Sequence, residues 1–290
     1  MKARPFLLHA LSPLHAGTGH AADVIDLPTA RMKATGIPFV PGSSIKGVLR
    51  DVRKTGASDA ESVLAVFGPE TGNASDHAGA LVVGDARLLA LPVRSFRGTF
   101  AWTTSPLLLT LAKRDLGGIV DGQSIPTITG PGARLAPGNC CEFKKRLYLE
   151  DLDLGADESP DATAWAGFLA PLICSDGDIF SKRFAIVDDE TMTFLWETAT
   201  QVDARVRLDG TTRTVASGAL WLEESLPPES LLIGLLVADR SRRKRVAMDS
   251  DQVLNLALPG EEILQFGGKA STGRGRCRLI PVLPQGASRL

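Results

Sequence analysis

Two polar stretches of this 290-residue chain hold side chains able to move protons or bind phosphate. The first runs Leu14-His15-Ala16-Gly17-Thr18-Gly19-His20 and leads to Asp23 and Asp26. An imidazole and a carboxylate with cations nearby are the parts of phosphoryl-transfer chemistry, one group taking a proton while others hold charge. The second is Phe266-Gly267-Gly268-Lys269-Ala270-Ser271-Thr272-Gly273-Arg274-Gly275-Arg276. Its small residues permit close backbone approach, and Lys269, Arg274 and Arg276 supply phosphate-binding cations. It is not a Walker A loop: Gly268 to Gly273 has the right gap, but Arg274-Gly275 stands where Lys and Ser/Thr are required. A dinucleotide fingerprint, a G-x-S-x-G elbow and a His-x-x-x-His pair are all missing, which disfavours nucleotide-cofactor enzymes, α/β-hydrolases and helical zinc sites. Of the remaining histidines, His9 reads as structural within a first strand and His77 as a surface-loop residue.

The elements that must position these loops follow from periodicity. Residues 6–11 read as a strand closed by Ser12-Pro13, and residues 37–41 as extended, because proline biases its predecessor away from helix. After Pro41-Gly42, Ser43 or Ser44 can cap a helix. Ile45, Val48, Leu49 and Val52 then form one apolar face, while Lys46, Arg50, Arg53 and Lys54 recur on another. The N-terminus of such a helix attracts phosphate, although a solvated surface helix fits the same pattern. Residues 81–91 and 99–102 read as strands, and Ser105-Pro106 opens a helix with Leu107, Leu108 and Leu111 inward. Residues 117–138 form a Gly- and Pro-rich excursion. Residues 202–208 and 212–215 flank Asp209-Gly210 as a hairpin with Arg205 and Arg207 on one side. Residues 253–258 read as a helix and 277–282 as a final strand.

Composition narrows the class. There are 32 Lys+Arg against 33 Asp+Glu, a net charge of −1, so capture of a polyanion by the whole surface is excluded while a local groove is not. An acidic stretch spans Glu150 to Asp161 and a basic one Arg240 to Arg245, a segregation that could bring copies together head to tail. A hydrophobic content of 44% excludes wholesale disorder. One Tyr and four Trp argue against a stacking-rich single-strand binder. Cys140, Cys141, Cys174 and Cys277 lack C-x-x-C spacing, so reduced thiols are expected rather than zinc ligands. The apolar stretch before Ser12-Pro13 is too short for a signal peptide or a span, so a cytoplasmic location without membrane contact is expected.

Three segments taken together, Leu14 to Gly19, Asp26-Leu27-Pro28-Thr29-Ala30-Arg31 and Thr35 to Arg50 (with Pro41-Gly42-Ser43-Ser44-Ile45-Lys46-Gly47), closely resemble the RAMP proteins of type III CRISPR effector complexes. The loop from Gly267 to Gly275 is similar to that superfamily's glycine-rich loop. Pro92-Val93-Arg94-Ser95-Phe96-Arg97-Gly98, Trp102-Thr103-Thr104-Ser105-Pro106 and Gly218-Ala219-Leu220-Trp221-Leu222-Glu223-Glu224 resemble the repeated backbone subunit of the type III-B (Cmr) complex. The matches run in one order over almost the whole chain.

The resemblance implies an α+β fold: a modified RRM-like, ferredoxin-like palm with long insertions and a β-hairpin thumb. It implies one domain over 1–290, with an insertion near 117–200 and a thumb near 205–221. In function it implies a crRNA-binding filament subunit that cleaves guide-paired target RNA at regular intervals. The partners would be crRNA, target RNA, further copies of the chain, and other Cmr subunits, including the large polymerase-cyclase subunit and the small subunits. By the same resemblance Asp26 matches the family's cleaving aspartate and a ligand or orienter of a divalent ion (Mg or Mn), with no organic cofactor. Asp23 is the nearest competitor, and His15 and Glu223 are candidate helpers. Lys46, Arg50, Gly267, Gly268, Lys269, Arg274, Arg205 and Arg207 are the candidate RNA-binding residues. Two positions depart from the family: Met32 replaces an acid, and Ser225 follows Glu224 where some relatives carry Tyr. A catalytically inactive RNA-binding backbone subunit is the alternative; a metabolic enzyme with a phosphate loop is remote from these motifs.

Overall fold

The computed structural model describes residues 1–17, 25–56, 59–70 and 77–284. Asp23 and His20 lie outside the described residues. The first part of the chain gives β1 (Lys2–Ala10), β2 (Phe39–Val40), α1 (Gly42–Thr55), α2 (Ala60–Phe67), β3 (Leu81–Val83), β4 (Ala86–Arg94), β5 (Phe100–Thr104) and α3 (Pro106–Leu116). Residues 117–200 contribute β6 (Gly132–Leu135), β7 (Glu142–Phe143), β8 (Arg146–Leu149), β9 (Leu152–Glu158), α4 (Pro160–Ile173), α5 (Gly177–Ser181), β10 (Phe184–Val187) and α6 (Asp189–Thr198). The hairpin β11 (Gln201–Leu208) and β12 (Val215–Ser225) follows, then β13 (Leu231–Ala238), α7 (Ser250–Ala257), β14 (Glu262–Gln265) and β15 (Arg276–Pro281).

Thirteen of these strands join one sheet in the order β14-β15-β1-β13-β4-β5-β10-β6-β9-β8-β7, with β2 on β4 and β3 on β13; β11 and β12 form a separate two-stranded sheet. The strands of residues 117–200 thus continue the sheet begun by β1, β13 and β4. Helices cover both faces, which is why β1 reads as a continuous apolar run from Phe6 to Leu8 rather than an alternation. The core divides accordingly: Phe6, Ile45 and Leu49 lie in one apolar cluster, Leu7, Trp102 and Trp165 in the other. No helix among the described residues is long and apolar enough to cross a membrane.

Several expectations change in detail. The helix after Pro41 is capped by Pro41 itself, without a side-chain cap, rather than by Ser43 or Ser44. The single strand expected over 81–91 breaks at Gly84-Asp85, because Asp85 turns aside to accept the Gly42 N–H at 2.8 Å. That carboxylate occupies the helix terminus expected for phosphate. Ser105 does cap α3, but Leu107 is 39% exposed and Leu109 takes the buried place. Asp209 does sit at the hairpin tip, accepting from the N–H groups of Thr211 and Thr212 at 2.9 and 2.8 Å. The strands either side of it are longer than expected and reach Gln201 and Ser225.

Candidate active site

Three chain segments meet where the hairpin joins the body. The segment after residue 24 runs beside β12: Leu27 N–H donates to the Leu222 carbonyl at 3.1 Å and Glu224 N–H donates to the Leu27 carbonyl at 2.9 Å. This short parallel bridge holds Asp26 at an exposed edge. One oxygen of Asp26, Oδ2, accepts the Leu222 N–H at 2.7 Å. The other has no hydrogen-bond partner among the described residues. The carboxylate is therefore oriented by backbone and still open to solvent.

His15 comes from the chain leaving β1, which is fixed by reciprocal hydrogen bonds of 2.9 Å between Leu14 and Leu226. Its Nδ1 lies 2.7 Å from the Glu224 carbonyl. A carbonyl only accepts, so Nδ1 carries the hydrogen, and in the neutral ring Nε2 is left as the acceptor. Gly17 keeps that edge of the ring clear, because a Cβ there would lie 2.6 Å from Nε2. The residue is 8% exposed, a narrow opening rather than a free surface.

The glycine loop packs directly on this segment. Gly267 has φ +71°, and a Cβ there would collide with the His15 carbonyl; Gly268 N–H donates to the same oxygen at 3.3 Å. Gly275 N–H donates to the Pro13 carbonyl at 2.9 Å. Close approach is thus the physical reason for Gly267 and Gly275.

Below the open edge lies a buried ionic network. Glu223 is fully buried. Lys269 Nζ pairs with its Oε2, Arg205 Nε stands 3.6 Å from the same oxygen, and Arg274 Nη1 is 3.7 Å from Oε1. Arg274 also donates to Ser225 Oγ at 2.7 Å and pairs with Asp203, whose carboxyl it holds below the ordinary aspartate range. Glu224 is 2% exposed; its Oε2 accepts the Thr29 N–H at 2.9 Å, and its Oε1 accepts from Arg31 at 2.5 Å and from Thr200 Oγ1 at 2.8 Å. Arg31 reaches onward to the Trp196 carbonyl at 2.9 Å. The two adjacent glutamates, on opposite faces of β12, join the hairpin to the glycine loop and to the Asp26 segment respectively.

The structure therefore brings together Asp26, His15, Glu223, Gly267, Gly268, Lys269, Arg274 and Arg205. Within that group it separates an exposed carboxylate, Asp26, from a buried counter-ion, Glu223. As the chain stands, Glu223 is a brace rather than an exposed acid, because its three cations enclose it. Lys46 and Arg50 are elsewhere: Lys46 Nζ donates to the Leu81 carbonyl at 3.1 Å, and Arg50 to the carbonyls of Gly68 and Pro69 at 3.1 and 3.0 Å. Burial, then the neighbouring Arg50 charge, push the Lys46 ammonium pKa down. Both side chains, partly buried, hold the β3 and α2 ends in place. Arg207, by contrast, is exposed on the outer hairpin. Sequence reasoning missed Asp203 and Thr200 altogether. It passed over Glu224 and Arg31, although both stood inside quoted motifs.

No group of three or more His, Cys, Asp or Glu able to hold a metal occurs among the described residues. A caged ion does not fit this donor set. A hydrated divalent ion does, since magnesium keeps its waters and takes one or two carboxylates plus substrate phosphates. Among the described residues, the free Asp26 oxygen is the one such donor at the exposed edge.

A β-hairpin thumb on a palm sheet, with a glycine loop packed under its base, defines a class. The RAMP superfamily profile matches residues 7–278, and the chain belongs to that superfamily. It is 33% identical over 291 residues to the CRISPR system Cmr endoribonuclease Cmr4 of Pyrococcus furiosus, covering 95% of this chain and 94% of that protein. Its fold is similar to the crystal structure of oligomeric Cmr4 from Pyrococcus furiosus, with a TM-score of 0.74 at 26% identity over 98% of this chain and 99% of that one. A chain of the type III-B Cmr-beta complex bound to cognate target RNA shares the fold at 21% identity, with a TM-score of 0.75 and 97% of each chain covered. The RRM-like palm with inserted elements and a thumb is thus the fold of this chain.

Proposed function

We propose that this chain is a crRNA-binding filament subunit of a type III-B CRISPR effector complex and cleaves guide-paired target RNA beside each thumb. The observation that carries the reading is the Asp26 carboxylate, pinned by the Leu222 N–H at the thumb base with its second oxygen open. The 33% identity to the Cmr4 endoribonuclease supports the activity, and the likeness to oligomeric Cmr4 supports stacking of copies. Neighbouring subunits, small and large, and the crRNA and target are the partners that go with this assignment.

In the reaction, a ribose 2′-hydroxyl attacks the adjacent phosphorus in line, the P–O5′ bond breaks, and a 2′,3′-cyclic phosphate and a 5′-hydroxyl result. A nucleotide turned out of the duplex reaches that geometry, which regular A-form RNA does not allow. The thumb creates the interruption. Asp26 orients the ribose or accepts the hydroxyl proton through its open oxygen. His15, held by the Glu224 carbonyl, keeps Nε2 as a second acceptor for that proton, and the departing 5′-oxygen takes its proton from water. The glutamates do not touch RNA in this scheme: Glu224 fixes His15 and Arg31, and Glu223 fixes the glycine loop. A hydrated divalent ion at Asp26 would supply charge neutralisation at the phosphate.

The test is target cleavage by a complex assembled on one guide. A ladder of products at one fixed interval is expected, with cyclic-phosphate ends. Chelation of divalent ions should stop cleavage while target binding persists. Binding without any cleavage, in the presence of Mg or Mn, would instead mark the chain as an inactive backbone subunit.

A further inference from the structure

The motif Pro92-Val93-Arg94-Ser95-Phe96-Arg97-Gly98 takes no part in the site at the thumb base. Its last four residues build the turn from β4 to β5, and that turn is held from several sides. Ser95 N–H donates to the Thr99 carbonyl at 3.0 Å and Phe96 N–H to the Tyr148 carbonyl at 3.2 Å. Gly98 has φ +70°, and a Cβ there would lie 2.8 Å from the sulfurs of both Cys140 and Cys141. Arg183 Nε donates to the Gly98 carbonyl at 3.0 Å.

What this braced turn displays is an aromatic ring: Phe96 is 80% exposed, edge-on to Tyr148 at 6.0 Å between centroids. Beside it Phe143 is 37% exposed, with the Arg97 guanidinium 5.3 Å and the Lys144 ammonium 5.2 Å from its ring centre. Lys144 and Lys145 both adopt left-handed backbone, φ 52° and 59°, a conformation unfavourable for lysine. Among the described residues Arg97, Lys144 and Lys145 form no ion pair. Glu142 accepts the Lys145 N–H at 2.8 Å and Asp153 pairs with Arg146 at 2.6 Å, while Lys145 lines a cavity shared with Glu142, Asp157 and Glu158. Aromatic residues make up 6% of the chain, so Phe96, Phe143 and the one tyrosine meeting at a single surface stands out from the background.

We propose that this surface binds single-stranded RNA: an unpaired base stacks on Phe96, and Arg97 and Lys144 take the flanking phosphates. Exposed rings with cations beside them are the means by which proteins hold unpaired bases. A protein partner fits less well, since interface cores are depleted of lysine and need about 800 Å² from each side. Two or three rings ringed by cations fall short of that. A surface fixed before binding loses little freedom on binding, which explains the bracing of the turn. The proposal rests on the RNA-guided reading above but concerns a separate surface.

The test measures binding of the full chain to a short unstructured oligouridine and to a blunt RNA duplex of equal length. Phe96→Ala should weaken oligouridine binding about tenfold and leave the duplex unaffected, because only free bases stack. Its salt dependence should not change, whereas Arg97→Gln with Lys144→Gln should lower the salt slope by about one per lost phosphate contact. Phe96→Trp should bind as the parent does, and as Phe96 is largely exposed all these variants should fold. Undiminished oligouridine binding by Phe96→Ala would overturn the platform while leaving the Asp26 reading intact. Equal losses for both RNAs would also overturn it. So would RNA binding left intact while oligomers dissociate, which would give the surface to a second copy. A parent chain that binds neither RNA would overturn both proposals.

Discussion

At its base the thumb buries Glu223, Glu224 and Ser225, and ties Glu223 and Ser225 to the glycine loop and Glu224 to the Asp26 segment. Its outer half leaves Val206 48%, Leu208 56%, Val215 52% and Leu220 65% exposed. The register explains how one hairpin does both. Val206 opposite Leu220 and Leu208 opposite Val215 share one face, while Asp203 opposite Glu223 and Arg205 opposite Trp221 share the other. An isolated two-stranded hairpin is marginal in water, so its stability must come from the ionic face anchored below. The apolar face is then left to meet something outside the chain. In the proposed function the base sets where chemistry happens, and the tip sets what is held there.

The largest expected effect concerns the attacking group. Replacing the scissile ribose in the target by 2′-deoxyribose should abolish cleavage at that site alone, with neighbouring sites and target affinity unchanged; product analysis on a gel checks this. Next, Glu224→Ala leaves the Arg31 guanidinium and the Thr29 N–H without their partner. It should cost about 2–4 kcal/mol in thermal or denaturant unfolding, the cost of breaking a largely buried pair. Cleavage should fall with it, because the segment carrying Asp26 loses the ties of Thr29 and Arg31 to β12, while the Glu224 backbone carbonyl that holds His15 is kept. Leu220→Ser with Val206→Ser tests the other end. Stability should stay within about 0.5 kcal/mol, as for exposed positions, while target cleavage falls several-fold through a weaker interruption of the duplex. If stability fell as much as for Glu224→Ala, the two ends would not be built on different rules. The smallest effect is with pH. Arg274 holds the Asp203 carboxyl below its ordinary value, so this pair stabilises the thumb above the ordinary carboxylate range near pH ~4 and loses that contribution as pH falls through the depressed value. Limited proteolysis across an acid titration should show the hairpin loosening in that window, and not with Asp203→Asn.

The sequence was most legible where local rules act alone. The apolar spacing of Ile45 and Leu49 marked α1, Ser105-Pro106 marked the start of α3, and Asp209-Gly210 marked the thumb tip. It was least legible where a long-range partner decides. Asp85 ends one strand by reaching a helix terminus 43 residues away in sequence, a contact that no periodicity encodes. The basic spacing of Lys46 and Arg50 described a face correctly but not the groups it meets within the chain, since backbone carbonyls of Leu81, Gly68 and Pro69 are invisible in side-chain patterns. Asp26, His15 and Glu223 could be picked out through the family resemblance. That one is open and another enclosed by Lys269, Arg205 and Arg274 depends on packing between segments 196 residues apart at Asp26 and 46 apart at the Glu223–Lys269 pair.

Substitution of Asp26 by Asn tests the central claim most directly, because the amide keeps the shape and gives up the charge. Single-turnover cleavage of a guide-paired target should slow by about 10²-fold or more at every site together, the loss of acid–base help at each copy. Complex yield and target affinity should be unchanged, and Asp23→Asn should be much milder. Near-normal cleavage by a homogeneous Asp26→Asn complex would contradict the account, and would place the chemistry at Asp23 if that variant proved inactive.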